Sequence, residues 1–170
     1  FLLVAVLRAQ DLVDDVAEVG VCDLLKMDVQ GAELAVMRNA TRHLANAVAV
    51  MTEVSFVPIY EGQAGIGQID TELRAHGFIP HCFSGAKTWP IVTEIKTNNP
   101  TPHQLLEGDL VYVRDYSQTM AAEQWKHLAL IVHCVCGSYD LAMLAVEMAA
   151  KMGAVPKDAP GAYAKLLEAA

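Results

Sequence analysis

Two periods alternate along the first two thirds of this 170-residue chain. Phe1 to Arg8 is apolar enough for a strand, and Asp11 to Val19 follows as an acidic segment or helical turn that Gly20 punctuates. Val21-Cys-Asp-Leu-Leu-Lys-Met-Asp28 is a short, mostly apolar run ending on a carboxylate, the pattern of a buried parallel strand. From Gly31 the period changes: Leu34, Met37 and Leu44 share one helical face. Val48 to Phe56 is a β-branched strand. After a loop with Pro58 and glycines 62, 65 and 67, Ile66, Ile69 and Leu73 mark a short helix. Gly77 stands where a left-handed C-cap is expected. Phe78 to Phe83 and Leu110 to Arg114 are further strands with no helix between them, so they are expected to pair antiparallel, and residues 84 to 108 read as irregular. The tail is helical. Trp125, Leu128, Ala129 and Val132 form one stripe, and Leu141, Leu144, Ala145, Met148 and Met152 form another. Gly137-Ser138 lies between them, with Ser138 as the expected N-cap, and a short helix follows near Tyr163 to Glu168. Strand, helix, strand, helix, strand makes an α/β unit, in which strand 22–28 lies parallel and adjacent to strand 48–55.

Composition narrows the class. Hydrophobic residues make up 54% and charged residues 19%, which excludes disorder over most of the length. The formal charge of −8 argues against general nucleic-acid or anionic-membrane binding, which needs clustered Lys and Arg. The apolar stretch His127 to Ala150 carries two histidines, Asp140 and Glu147, too many polar groups for a bilayer span. The four cysteines, at 22, 82, 134 and 136, form no Cys-x-x-Cys pair and read as reduced, buried small hydrophobes of a cytoplasmic protein. His133, Cys134 and Cys136 fall within one helical turn and point different ways, so no metal site is expected there.

The informative stretch is Asp23-Leu-Leu-Lys26-Met-Asp28-Val-Gln30-Gly31-Ala-Glu33-Leu34. Open α/β sheets place ligands where a parallel strand ends and turns into a helix. Lys26 and Asp28 share one strand face, because side chains alternate. Two readings stand: a ligand site, or a satisfied ion pair that fixes the loop. In either, Lys26 is expected to be largely buried and paired with Glu53, Asp28 or Glu33.

This run resembles the signature of the FkbM family of S-adenosylmethionine-dependent methyltransferases. Leu12 to Val16 resembles the family's Leu-Asp-Asp segment, with Val13 departing from it. Thr52-Glu53-Val54 and Pro58-Ile-Tyr60-Glu-Gly-Gln63 are similar to its next strand and loop, Leu73 to Phe78 to its Leu-x-x-x-Gly-Phe element, and Leu106 to Asp115 to its final strand. The resemblance implies a class I, Rossmann-like methyltransferase sheet with an antiparallel last strand. It also implies S-adenosylmethionine as cofactor, and methyl transfer to a hydroxyl of a sugar, glycan or natural product. Gln30 replaces the Glu that the family often has. No Gly-x-Gly-x-x-Gly turn is present. The chain is therefore expected to begin just before the family's fourth strand: 1–116 would be the C-terminal part of a methyltransferase domain and 117–170 a helical tail.

What the resemblance implies for the site is specific. Asp28 and Glu53 are the catalytic candidates, Asp28, Val29 and Gln30 the cofactor-binding ones, and Tyr60 and Glu33 the acceptor side. The reaction is an in-line displacement at a sulfonium methyl, helped chiefly by alignment. A carboxylate or a histidine, His81 or His103, takes the hydroxyl proton. With half a site, the chain alone is expected not to bind S-adenosylmethionine appreciably. Strand 22–28 is expected to be a sticky edge through which the chain self-associates. The competing reading is non-enzymatic: a truncated remnant, or an interaction module whose tail helices dock a partner.

Overall fold

The computed structural model describes residues 4–8, 22–94 and 102–169. The acidic segment from Asp11 to Val19, with the Leu-Asp-Asp-like stretch inside it, lies outside the described residues. So does part of the stretch read as irregular. Five strands form one mixed sheet: β1 (Val4–Arg8), β2 (Leu24–Asp28), β3 (Ala49–Ser55), β4 (Phe78–Trp89) and β5 (Gln104–Arg114), in the order β1-β2-β3-β5-β4. β1, β2 and β3 run parallel, and β5 is antiparallel to both β3 and β4. Strands 22–28 and 48–55 are thus the expected adjacent parallel pair. β1 covers the flank of β2, so the expected sticky edge at 22–28 is not an edge, and among the described residues the outer strand on that side is β1.

Two further expectations need correction. The helical pattern after Gly31 divides into α1 (Glu33–Asn39) and α2 (Thr41–Asn46) at Ala40, which is fully buried. Residues 84–89 and 104–108 are not irregular, because β4 and β5 extend into that stretch from either end. Register shifts after Pro80, Phe83 and Lys87 let the two long strands stay paired despite unequal spacing. At one shift the backbones come close. A Cβ on Gly108 would stand 2.8 Å from the Gly85 carbonyl oxygen, so only glycine fits there.

Alternation sorts the side chains onto two faces. Leu25 and Met27 of β2, Val50 and Val54 of β3, and Leu110 and Tyr112 of β5 face one core. α1, α2 and α3 (Ile66–Ala75) close it with Val36, Met37, Leu44, Ile69 and Leu73. Leu24, Ala49 and Val113 face the other way, under α4 (Ala122–Ile131) and α5 (Tyr139–Lys151). There Trp125, Leu128, Ile131, Leu141 and Ala145 complete the second core, each large apolar side chain contributing about 1.5–3 kcal/mol by its burial. α6 (Ala159–Glu168) packs on α5. His127 Nδ1 lies 2.7 Å from Asp23 Oδ1, tying α4 to the entry of β2.

The stripes meet through a π-helical turn, Val132–Cys136, and Gly137 then adopts a left-handed φ of 61°. Gly77 and Gly153 cap α3 and α5 with φ of 79° and 81°. Ser138 does not cap α5 through its side chain. Its hydroxyl donates to Asp140 Oδ1 (2.8 Å), and that carboxylate accepts the Leu141 N–H instead. The cysteines are all free, as expected, but only Cys22 is buried; Cys134 is exposed, and Cys82 and Cys136 are half-buried. No helix among the described residues is long and apolar enough to cross a membrane.

Arg114, the last residue of β5, binds the lower end of this arrangement together. Its guanidinium donates to the carbonyl oxygens of Leu44, Ala47 and His76, and lies 4.1 Å from the centre of the Phe78 ring. Burial of the cation lowers its pKa. Arg114→Met keeps the apolar stem and leaves these carbonyls without their donor, so it is expected to cost about 2–4 kcal/mol in urea-induced unfolding. Arg114→Lys should recover only a minority of that loss, because one ammonium cannot span the fork. Equal stability of the Lys variant and the parent would contradict the role assigned to the guanidinium.

Candidate functional site

The tail helices cover only the lower half of their sheet face. Above them, β2 and β3 reach their carboxyl ends with Lys26, Asp28, Met51 and Glu53 half-buried. Lys26 stands beside Met51 in register, so alternation carries Asp28 and Glu53 onto that same face.

Asp28 opens a tight turn. Gln30 takes a left-handed φ of 52°, unusual for a residue with a side chain, and Gly31 follows at φ 98°. A Cβ on Gly31 would press to 3.3 Å from Tyr60 Cδ2 in a conformation already unfavourable to L-residues, so glycine is required twice over. Two side chains hold the geometry. Glu33, buried at the start of α1, accepts the N–H groups of Val29 and Gly31 on one oxygen, each at 3.2 Å. Gln63 accepts the N–H groups of Ile59 (2.8 Å) and Tyr60 (3.2 Å) and donates to the buried Ser55 hydroxyl at 2.6 Å. The two loops are then joined by a chain of bonds: the Tyr60 hydroxyl donates to Gln30 Oε1 (3.0 Å), and Gln30 Nε2 donates to Asp28 Oδ1 (2.8 Å).

The structure therefore brings Asp28, Gln30, Glu33 and Tyr60 into one hydrogen-bonded turn, with Glu53 beside it on the neighbouring strand. Val29 is buried, and its N–H is taken by Glu33. Lys26 departs from expectation. It is only half-buried and, among the described residues, pairs with no carboxylate. Each expected partner is engaged elsewhere: Glu33 by the turn, Asp28 by Gln30, and Glu53 by Lys87, which lies 3.6 Å from it and also pairs with Glu107. Reading the sequence missed Lys87 because its strand was taken for irregular chain. Gln63 was visible only as part of a matching motif.

Neither histidine named as a possible base belongs to this neighbourhood. His81 lies on β4, separated from β2 by β3 and β5, and His103 is exposed ahead of β5. His43, His127 and His133 are engaged elsewhere, with Cys22, Asp23 and Tyr163.

Electrostatics single out Glu53. Desolvation is the largest influence raising its carboxyl pKa, and the charges of Glu107, Asp28 and Glu33 add to it against the pull of Lys87. A folded-state pKa above the unfolded one means that ionised Glu53 destabilises the fold, fully above the folded value and not at all below the unfolded one. Glu53→Gln should therefore raise the melting temperature at pH 7.5, and the difference should close as the pH falls through the carboxylate range. The lost pairing with Lys87, itself two-thirds exposed, is the smaller effect. A gap that widens on acidification would be the opposite sign.

No curated protein and no solved structure matches the chain significantly. A family model does: residues 3–80 match the Methyltransferase FkbM domain, a span that runs from β1 into β4 and takes in the Asp28 turn, Glu53 and the Tyr60 loop. Over that span the sequence is similar to an FkbM methyltransferase domain, as its motifs suggested.

Proposed function

We propose that the Asp28 turn is the methyl-donor side of an S-adenosylmethionine-dependent methyltransferase of Rossmann-like fold, acting on a hydroxyl of a glycan, sugar or natural product. The fold supports this reading through its parallel β1-β2-β3 ladder and the antiparallel insertion of the last strand, β5, between β3 and β4. One observation carries the assignment. The turn's surface carries a negative charge rather than an array of backbone donors: Glu33 consumes the N–H groups of Val29 and Gly31, leaving the carboxylate of Asp28 beside the amide of Gln30. Such a set fits hydroxyls and cationic sulfonium or ammonium groups, and disfavours phosphate, which seeks free N–H donors.

Bound there, S-adenosylmethionine supplies an electrophilic sulfonium methyl. The chain's own residues do the rest. Asp28 and Gln30 orient polar groups of the donor, with Val29 forming the turn that aims them. Glu33 positions the turn from behind and lies next to the acceptor side. Tyr60, 46% exposed, borders the acceptor. Glu53 takes the acceptor's hydroxyl proton onto its carboxylate, a role suited by its raised proton affinity. Alignment of nucleophile and methyl contributes most of the acceleration. A cytoplasmic location and pairing of copies through β1 accompany this reading.

The test is two-dimensional NMR of the 170-residue chain with S-adenosylmethionine added to millimolar concentration. Amide shifts are expected at Gln30, Gly31 and Tyr60, saturating only weakly. Asp28→Asn should abolish them while leaving the melting temperature within about 2 °C, since this half-buried carboxylate lies outside both cores. Adenosine triphosphate at the same concentration should leave the turn unmoved. An unperturbed turn in the parent chain, or shifts that survive Asp28→Asn, would sink the site and favour a non-enzymatic interaction module.

A further inference from the structure

Two irregularities in the backbone bring Cys136 of the tail beside two consecutive residues of β4, His81 and Cys82, all three of types that can ligate a metal. His81 and Cys82 are consecutive on β4, and strict alternation would send them to opposite faces. The register shift between Pro80 and Cys82 prevents that: Pro80 pairs with Tyr112 and Cys82 with Val111, leaving His81 as the extra residue of a bulge. Cys136 arrives from the tail, at the end of the π-helical turn and just before the left-handed Gly137. One ligand atom from each of His81, Cys82 and Cys136 lies within 4.8 Å of the other two.

We propose that His81, Cys82 and Cys136 form a binding site for a thiophilic divalent cation, with Zn²⁺ as the reference ion. Donors around tetrahedral zinc stand roughly 3.5–3.8 Å apart, given Zn–S near 2.3 Å and Zn–N near 2.0 Å, so the trio closes by about 1 Å to bind. The neighbouring candidates are otherwise occupied. His133 Nδ1 lies 2.9 Å from the Tyr163 hydroxyl, and Cys134 is exposed. The His81 ring, by contrast, forms no hydrogen bond among the described residues. Ligation through sulfur releases thiol protons, so binding strengthens as the pH rises. Three protein donors leave a fourth position for water or an exogenous ligand. The site lies across β3 and β5 from the Asp28 turn and stands independently of the methyl-transfer reading.

The probe is Co²⁺ added to the reduced full chain, followed by Zn²⁺. Expected are thiolate-to-cobalt charge-transfer absorption and tetrahedral d–d bands at one ion per chain, and their loss on zinc addition. His81→Asn and Cys82→Ser should each weaken binding about tenfold or more, and Cys134→Ser should leave it unchanged. Circular dichroism of the metal-free variants separates lost ligation from lost folding, and His81→Asn, outside both cores, is the variant that decides if Cys82→Ser unfolds. Absence of thiolate-to-cobalt absorption in the parent, or binding that survives His81→Asn, overturns the proposal. So does a Cys82–Cys136 disulfide that forms in air while the reduced pair shows no cobalt affinity, because the pair is then a redox couple and no metal site.

Discussion

Arg114 gathers three reversals of the chain around one guanidinium. α2 ends at Asn46 and α3 at Ala75, and each leaves carbonyl oxygens without intrahelical donors. Leu44 and Ala47 belong to the first of these ends and His76 to the second. A half-buried helix end without a partner is costly, and water reaches this one poorly. By standing at the last position of β5, Arg114 answers both ends from the strand between β3 and β4. It thereby fixes how α2 hands the chain to β3 and how α3 hands it to β4. The register of β3 against β5 follows from that anchorage, and with it the level at which Glu53 stands.

The upper end of the sheet is organised by the opposite device. There the orphan groups are N–H donors, and side-chain oxygens of Glu33 and Gln63 accept them in pairs. Each acceptor fixes a loop whose backbone cannot fix itself, and Tyr60 and Gln30 then join the loops. The cost is concentrated at Gln30, whose left-handed backbone is worth about 1–3 kcal/mol of strain. Its side chain makes the two hydrogen bonds that hold it there. Strain at one residue, offset by bonds to both neighbours of a cleft, is how a turn keeps a carboxylate aimed.

What was legible in the sequence divides along physical lines. Local signals worked where one period ruled: the parallel pair β2 and β3, the tail stripes, and the glycine cap at 77. The turn from Asp28 to Glu33 stood out because a carboxylate, a glycine and a helix start followed a buried strand. Residues that act across the sheet were not legible. Lys87 finds Glu53 through a strand whose bulges break alternation, so its face could not be counted from the sequence. Lys26 was assigned a buried partner on local spacing alone, whereas the competition among Lys87, Gln30 and the turn amides is decided in three dimensions. Cys136 sits beside His81 and Cys82 by way of the same bulging and a π-helical turn, neither of which has a period to read.

The close approach of Gly85 and Gly108 has a further consequence. With no side chain to separate them, β4 and β5 are pinned there, and the outer half of the hairpin extends beyond the pin as a lever. Lys87 rides on that lever arm, just past the fulcrum. Glu107 stands opposite Lys87 on β5, so two charges with opposite effects on Glu53 reach it from one segment, Glu107 raising its proton affinity and Lys87 lowering it. The proton affinity of one carboxylate is thus set by where two neighbouring strands are pinned together.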